Sequence, residues 1–182
     1  MALKATIYKA HLQIADMDRS RYADHAVTLA RHPSETDERM MVRLLAFALQ
    51  VPADDRNGPL EFAKDLWDVK EAALWQHDPT GVLEHWIDIG QPDDKRLLKA
   101  GGRSRQVSVY SYASSTAVWW RDLQGKVGRM NNLAVWHIDS NQSQALAALA
   151  ARTMQLQLTV QECTIWLADG RATVELTPQK LR

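Results

Sequence analysis

Cysteine is almost absent: Cys163 is the single one in 182 residues. One thiol excludes an internal disulfide framework and a cysteine-built zinc site, and it makes a reducing cytoplasm the expected setting. Long apolar runs are missing too. No stretch approaches the roughly 18 residues that a membrane-spanning helix needs, so no membrane partner is expected. The N-terminal Met1-Ala2-Leu3-Lys4-Ala5-Thr6-Ile7 alternates as a strand does and lacks the apolar segment of a signal peptide. Neither sign of charge is in excess, since Lys plus Arg and Asp plus Glu both number 22. A protein that coats nucleic acid nonspecifically carries a clear basic excess, so a nucleic-acid role here needs a local basic patch. The six histidines form no i, i+4 pair of a metalloprotease helix, and no G-x-S-x-G elbow or phosphate-cradling glycine loop is present.

What remains is the composition of a globular protein, 46% hydrophobic and 24% charged, and a length that suits one domain over residues 1–182. Residues 3–15 alternate as a strand, in one piece or two halves, and Asp16 to Ser20 is a turn. Arg21 to Ala30 reads as a helix or as a second strand pairing with the first. Ser34 with Asp37 reads as a capping box opening a helix. Its Met40, Met41, Leu44, Leu45, Ala48 and Leu49 recur at helical spacing and belong to the core. Further on, Thr153 to Gln161 alternates for nine residues, and Cys163–Leu167 with Thr173–Leu176 forms a closing hairpin. Cys163 is expected to be an inert, buried thiol in that strand. Helices and strands in this order describe a mixed α/β fold, a mixed sheet flanked by helices.

The chemistry concentrates between about Glu71 and Tyr112. His77-Asp78-Pro79-Thr80-Gly81 is turn chemistry, so residues 73–76 and 82–90 should pair as neighbouring strands. On the second strand Leu83, His85, Ile87 and Ile89 share one face, and Glu84, Trp86 and Asp88 share the other. Pro92-Asp93-Asp94 then opens a helix with acids at its positive end. That helix carries Lys95, Arg96 and Lys99, with Arg103 and Arg105 following after Gly101-Gly102: five cations in eleven positions. They read as contacts to a phosphate backbone or as a solvated helix face. Asp88, with Glu71 or Glu84, could hold a hard cation such as Mg²⁺ or Mn²⁺, and Lys99 could steady a developing phosphate anion.

Several segments resemble the bacterial YaeQ family. They are Met1–Ala10, Leu29-Ala30-Arg31-His32-Pro33-Ser34-Glu35-Thr36 with Glu38-Arg39-Met40-Met41, Trp86-Ile87-Asp88-Ile89-Gly90 with Pro92-Asp93, Lys99-Ala100, Ala134-Val135-Trp136 and Arg152-Thr153-Met154. The resemblance implies a cytoplasmic bacterial protein with the restriction-endonuclease-like core of the PD-(D/E)XK superfamily. That superfamily pattern places one acid on the first hairpin strand and acid-x-lysine on the second. Asp88-Ile89-Gly90 supplies the acid but has Gly90 in the lysine position, so Lys99 is the candidate migrated lysine. Glu71 stands near the first acid position, and Glu38 on the first helix is the additional acid that some members use.

The expectation is therefore a Mg²⁺- or Mn²⁺-dependent phosphodiesterase or nuclease-like protein acting on nucleic acid. Asp88 and Glu71 would be the metal ligands, and Lys99 and Glu38 would complete the catalytic set. Lys95, Arg96, Arg103 and Arg105 would meet the phosphates. The alternative is an inactive nuclease-fold module binding nucleic acid or a protein. A third reading keeps Asp88 as a strand-end residue that caps the next helix.

Overall fold

The structure is a computed structural model that describes residues 4–182; Met1 to Leu3, which open the expected first strand and the first resembling segment, lie outside the described residues. The chain forms two compact units, Met1–Leu49 with Asn141–Pro178, and Gln50–Ser140 with Gln179–Arg182. Each unit has its own mixed sheet, and four α-helices accompany the two sheets among the described residues. This is the mixed α/β architecture expected from the pattern. No helix among the described residues is long and apolar enough to cross a membrane.

The first unit is built on β1 (Thr6–Asp16) and β2 (Arg21–Arg31), antiparallel along all eleven residues. The alternative reading of Arg21 to Ala30 thus resolves as strand, and residues 6–16 form one strand rather than two halves. β8 (Thr153–Gln161) runs parallel to β1, and β9 (Thr164–Ala168) and β10 (Thr173–Leu176) complete the order β10-β9-β8-β1-β2. Period-two alternation buries Tyr8, Ala10, Leu12 and Ile14 of β1 beside Met154, Leu156 and Leu158 of β8.

Helix α1 (Asp37–Gln50) buries Met40 through Ala48, including Arg43. That arginine is tolerated because Nη2 donates to Glu35 Oε2 at 2.8 Å and to the Ala30 carbonyl at 3.2 Å. The expected capping box shifts by two residues: Thr36 Oγ1 accepts from Arg39 N–H at 3.1 Å, while Ser34 pairs with the His32 ring and Asp37 with Arg31. With Ser34 engaged by His32, the Thr36 hydroxyl caps the helix. Helix α4 (Ser140–Ala147) begins and ends earlier than the expected 144–152. After Ala147 the chain tightens into i to i−3 bonds, and the Arg152 carbonyl is already taken by Lys9 N–H at the start of the β1–β8 ladder.

Cys163 is not a buried strand residue. It is exposed, and with Glu162 it forms the β8–β9 turn with φ of +62° and +51°. Two successive positive φ values suit a two-residue hairpin because their twist matches that of the strands. The Asp18 carboxylate accepts from the N–H groups of Glu162 and Cys163 at 2.7 and 2.8 Å.

The second unit contains β3 (Leu60–Phe62), a single 3₁₀ turn (Asp65–Trp67), β4 (Leu74–His77), β5 (Leu83–Ile89), α2 (Asp94–Arg103), β6 (Ser104–Ser111), α3 (Thr116–Leu123), β7 (Leu133–His137) and β11 (Gln179–Lys180). The order is β11-β7-β6-β5-β4-β3. β3, β4 and β5 form an antiparallel meander, whereas β5, β6 and β7 run parallel. The expected hairpin is present. Its turn is organised by Asp78 Oδ1, which accepts from the N–H groups of Thr80 and Val82 at 2.8 and 2.9 Å and from the Thr80 hydroxyl at 2.7 Å. The parallel pair requires a crossover, and α2 supplies it. One face of the sheet presents Trp86, Val107, Val109 and Val135 to Leu97 and Ala100 of α2 and to Leu123 of α3.

Helix α2 runs through Gly101-Gly102 instead of stopping before them. A Cβ on Gly101 would lie 2.5 Å from Met130 Cε, so glycine here serves close packing inside a helix. Asn132 Nδ2 holds that end by donating to the carbonyls of Gly101 and Ser104 at 3.0 and 2.9 Å.

Candidate functional site

β5 ends at Ile89, and Gly90, at φ +103°, turns the chain out of the sheet. Four residues later α2 begins, capped by Asp93, whose Oδ1 accepts from Arg96 N–H at 2.7 Å. Asp93, not Asp88, is therefore the cap. The short connection lays the first turn of α2 back over the end of β5. Leu97 and Ala100 point into the core, so the opposite side of the helix presents Lys95, Lys99 and Arg103 at spacings of four as one stripe.

Asp88 is buried at the end of β5. Its Oδ2 accepts from Arg96 Nε at 2.8 Å and its Oδ1 from Arg96 Nη2 at 2.7 Å, a two-pronged ion pair. The same guanidinium donates through Nη1 to the Val69 carbonyl at 2.6 Å and through Nη2 to the Glu71 carbonyl at 2.8 Å. Arg96 thus binds the segment before β4, the end of β5 and the start of α2 together. Its guanidinium carbon lies 5.3 Å from the Trp86 ring centre, and that of Arg103 lies 6.0 Å away, so the indole face orients both arginines.

Glu71 contributes its backbone carbonyl to Arg96, while its carboxylate turns to Lys64: Oε2 accepts from the backbone N–H at 2.9 Å and Oε1 meets Nζ at 3.3 Å. Glu84 pairs with Arg105 at 3.2 Å, which takes Arg105 out of the cationic stripe. Glu38 lies in the first unit, where its Oε1 accepts from the Ser143 hydroxyl at 2.6 Å and ties α1 to α4. As arranged, these acids do not fit a Mg²⁺ or Mn²⁺ ion. The oxygens of Asp88 and Glu71 are taken by cationic and N–H donors, and no group of three or more His, Cys, Asp or Glu side chains among the described residues could hold a metal.

What α2 does frame is a hollow of about 420 Å³. Lys95, Arg96, Lys99 and Arg103 line it from the helix, Lys70 from the facing loop and Trp86 from the sheet. Asp93 is the single acid in its wall. Lys70, Lys95 and Lys99 are exposed and make no ion pair among the described residues. Trp86 is 3% exposed, and its indole N–H has no acceptor among the described residues. Lys70 and Trp86 were not legible as site residues: Lys70 sits in an irregular segment, and a tryptophan between Glu84 and Asp88 reads as core.

On the other face of β5, His85 is buried against Ser108, with Nε2 2.8 Å from the serine oxygen. Burial pushes the imidazole down to about 4, so it stays neutral inside the sheet. His85 is a packing residue, as expected, and faces away from the cationic hollow.

The comparisons with known proteins agree across nearly the whole chain. Residues 1–178 match the family model described as "YaeQ protein". The chain is 45% identical to the "Uncharacterized protein YaeQ" of Salmonella typhi and 43% identical to that of Escherichia coli (strain K12). In both cases 97% of this chain and 95% of the relative are covered. Among solved structures, the YaeQ protein from Xanthomonas axonopodis pv. citri superposes with a TM-score of 0.92 at 46% identity, covering 98% of this chain and 99% of that one. The YaeQ protein from Pseudomonas syringae gives 0.90 at 34% identity, covering 98% and 96%. The chain belongs to the YaeQ family.

Proposed function

We propose that this YaeQ-family chain is a nucleic-acid-binding protein on a restriction-endonuclease-like core of the PD-(D/E)XK superfamily, with the nuclease acid converted into a structural ion pair. Support for the core comes from the meander β3-β4-β5 followed by α2 and the parallel β6, which sets Asp88 and Ile89 at the end of the second hairpin strand with Gly90 just beyond it. The observation that carries the functional reading is the two-pronged hold of Arg96 on Asp88. A carboxylate so occupied is a poor ligand for a hard cation, whereas the lysines beside it are unspent. Lys95, Lys99 and Arg103 meet phosphate, and Arg96 shapes the pocket they share.

The test is fluorescence anisotropy with labelled single- and double-stranded DNA and RNA, titrated at several salt concentrations with and without Mg²⁺. Binding is expected to fall steeply with salt, to weaken in Lys95→Ala and Lys99→Ala, and to be indifferent to Mg²⁺. Failure to bind any of the four at low salt overturns the proposal. A Mg²⁺- or Mn²⁺-dependent phosphodiesterase is the other reading of the same residues, and it requires Arg96 to release Asp88. Metal-dependent cleavage that disappears in both Asp88→Asn and Lys99→Ala is the result that would establish it.

A further inference from the structure

Five cations of the second unit, Lys70, Lys95, Arg96, Lys99 and Arg103, line one hollow. The chain as a whole has 22 basic and 22 acidic residues, and Arg105, at the end of the basic run, is already paired with Glu84. A duplex presents one charge per roughly 1.7 Å of axis and is gripped along a stripe of cations. A hollow of about 420 Å³ has instead the size of a small-molecule site.

The charge in that hollow has a definite balance. Arg96 is spent on Asp88, which leaves Lys70, Lys95, Lys99 and Arg103 against Asp93, four cations to one acid and a net of three. An internal phosphodiester carries a single charge. A terminal phosphomonoester carries about 1.5 to 2 at pH 7 and presents three acceptor oxygens. Trp86, a residue of the same wall, is buried, and its indole N–H has no acceptor among the described residues. Exposed Val69 supplies apolar surface beside the cations.

Resting on the nucleic-acid reading above, we infer that this hollow recognises the phosphorylated end of a nucleic-acid strand, holding the terminal phosphomonoester with Lys95, Lys99, Arg103 and Lys70. The end-phosphate is read by its second negative charge, and the reading therefore weakens as that charge is neutralised.

The experiment is an anisotropy competition using one single-stranded 12-mer with a 5′-phosphate, a 3′-phosphate or hydroxyls at both ends, with adenosine 5′-monophosphate as a further competitor. One phosphorylated form is expected to bind at least tenfold more tightly than the hydroxyl form. That preference should shrink below about threefold at pH 5, where the phosphate has lost its second charge. Lys99→Ala and Lys70→Ala remove exposed side chains without ion pairs, so both variants should fold normally and lose most of the preference. Equal binding of the three 12-mers, with salt-dependent affinity retained, overturns the inference while leaving the nucleic-acid reading standing. No binding of any 12-mer overturns both. Competition by the mononucleotide as strong as that of the phosphorylated 12-mer overturns strand-end recognition in favour of a free nucleotide.

Discussion

Asp88 and Arg96 stand eight residues apart and share two parallel hydrogen bonds of 2.8 and 2.7 Å across the junction of β5 and α2. The aspartate is buried and the arginine partly exposed, with side-chain exposures of 4% and 27%. Removing the cation leaves a buried carboxylate without compensation, and it also frees the carbonyls of Val69 and Glu71. Arg96→Ala should therefore cost about 3 kcal/mol. In Asp88→Asn/Arg96→Ala the carboxylate is gone as well, so the double variant should be less destabilised than the sum of the singles by at least about 1 kcal/mol. Urea unfolding of the four proteins measures this coupling, and strict additivity would show that the pair is not a unit.

His85 makes stability depend on pH with a definite sign. Its folded value of about 4 lies below the ordinary histidine value near 6.5. Above pH 6.5 the ring is neutral in both states and contributes no slope. Between 6.5 and 4 the unfolded chain takes up a proton that the folded one refuses, so stability falls by on the order of 3 kcal/mol as pH drops. The His85→Gln variant should lack that part of the loss, as read from denaturation midpoints at pH 7 and 4.5.

Two glycines at positive φ should respond differently to alanine. A Cβ on Gly58, at φ +82°, would lie 1.8 Å from the His77 carbonyl oxygen, which is backbone and cannot step aside. Gly81, at φ +88°, has nothing within 4 Å. Gly58→Ala should lower stability by about 3 kcal/mol or more, and Gly81→Ala by only the ~1 kcal/mol of left-handed strain. Thermal melts rank the two, and a harmless Gly58→Ala would contradict the close approach.

Asp18 links the β1–β2 turn to the β8–β9 turn through the N–H groups of Glu162 and Cys163. Asp18→Ala should cost about 1–2 kcal/mol. Hydrogen exchange at these two amides should accelerate, while exchange in the centre of β1 is unchanged.

Much of this architecture was written locally. The alternation of Thr153 to Gln161 became β8 with the expected bounds, and the Asp78-Pro79-Thr80-Gly81 turn joined β4 to β5 as its chemistry required. Where local signals misled, another partner had claimed the group. Cys163 extends an apolar run, but Asp18 from another turn holds its N–H and its φ is positive. Ser34 looks like a helix cap, but His32 claims its hydroxyl and Thr36 caps instead.

The candidate site divides along the same line. The spacing of Lys95, Lys99 and Arg103 places them on one helix stripe wherever the helix lies, because 3.6 residues per turn is a property of the backbone alone. The burial of Asp88 beside Trp86 likewise follows from the apolar run around it. What the sequence by itself could not specify is which charges cancel. Arg96 stood among five equivalent cations until the short Gly90–Asp93 connection brought it onto Asp88, and Glu71 stood as a metal ligand until Lys64 took its carboxylate. Charge pairing is strongest between atoms within about 4 Å of each other and is screened by salt over roughly 10 Å, so only the tertiary path of the chain decides which cations are spent on structure and which remain for a ligand.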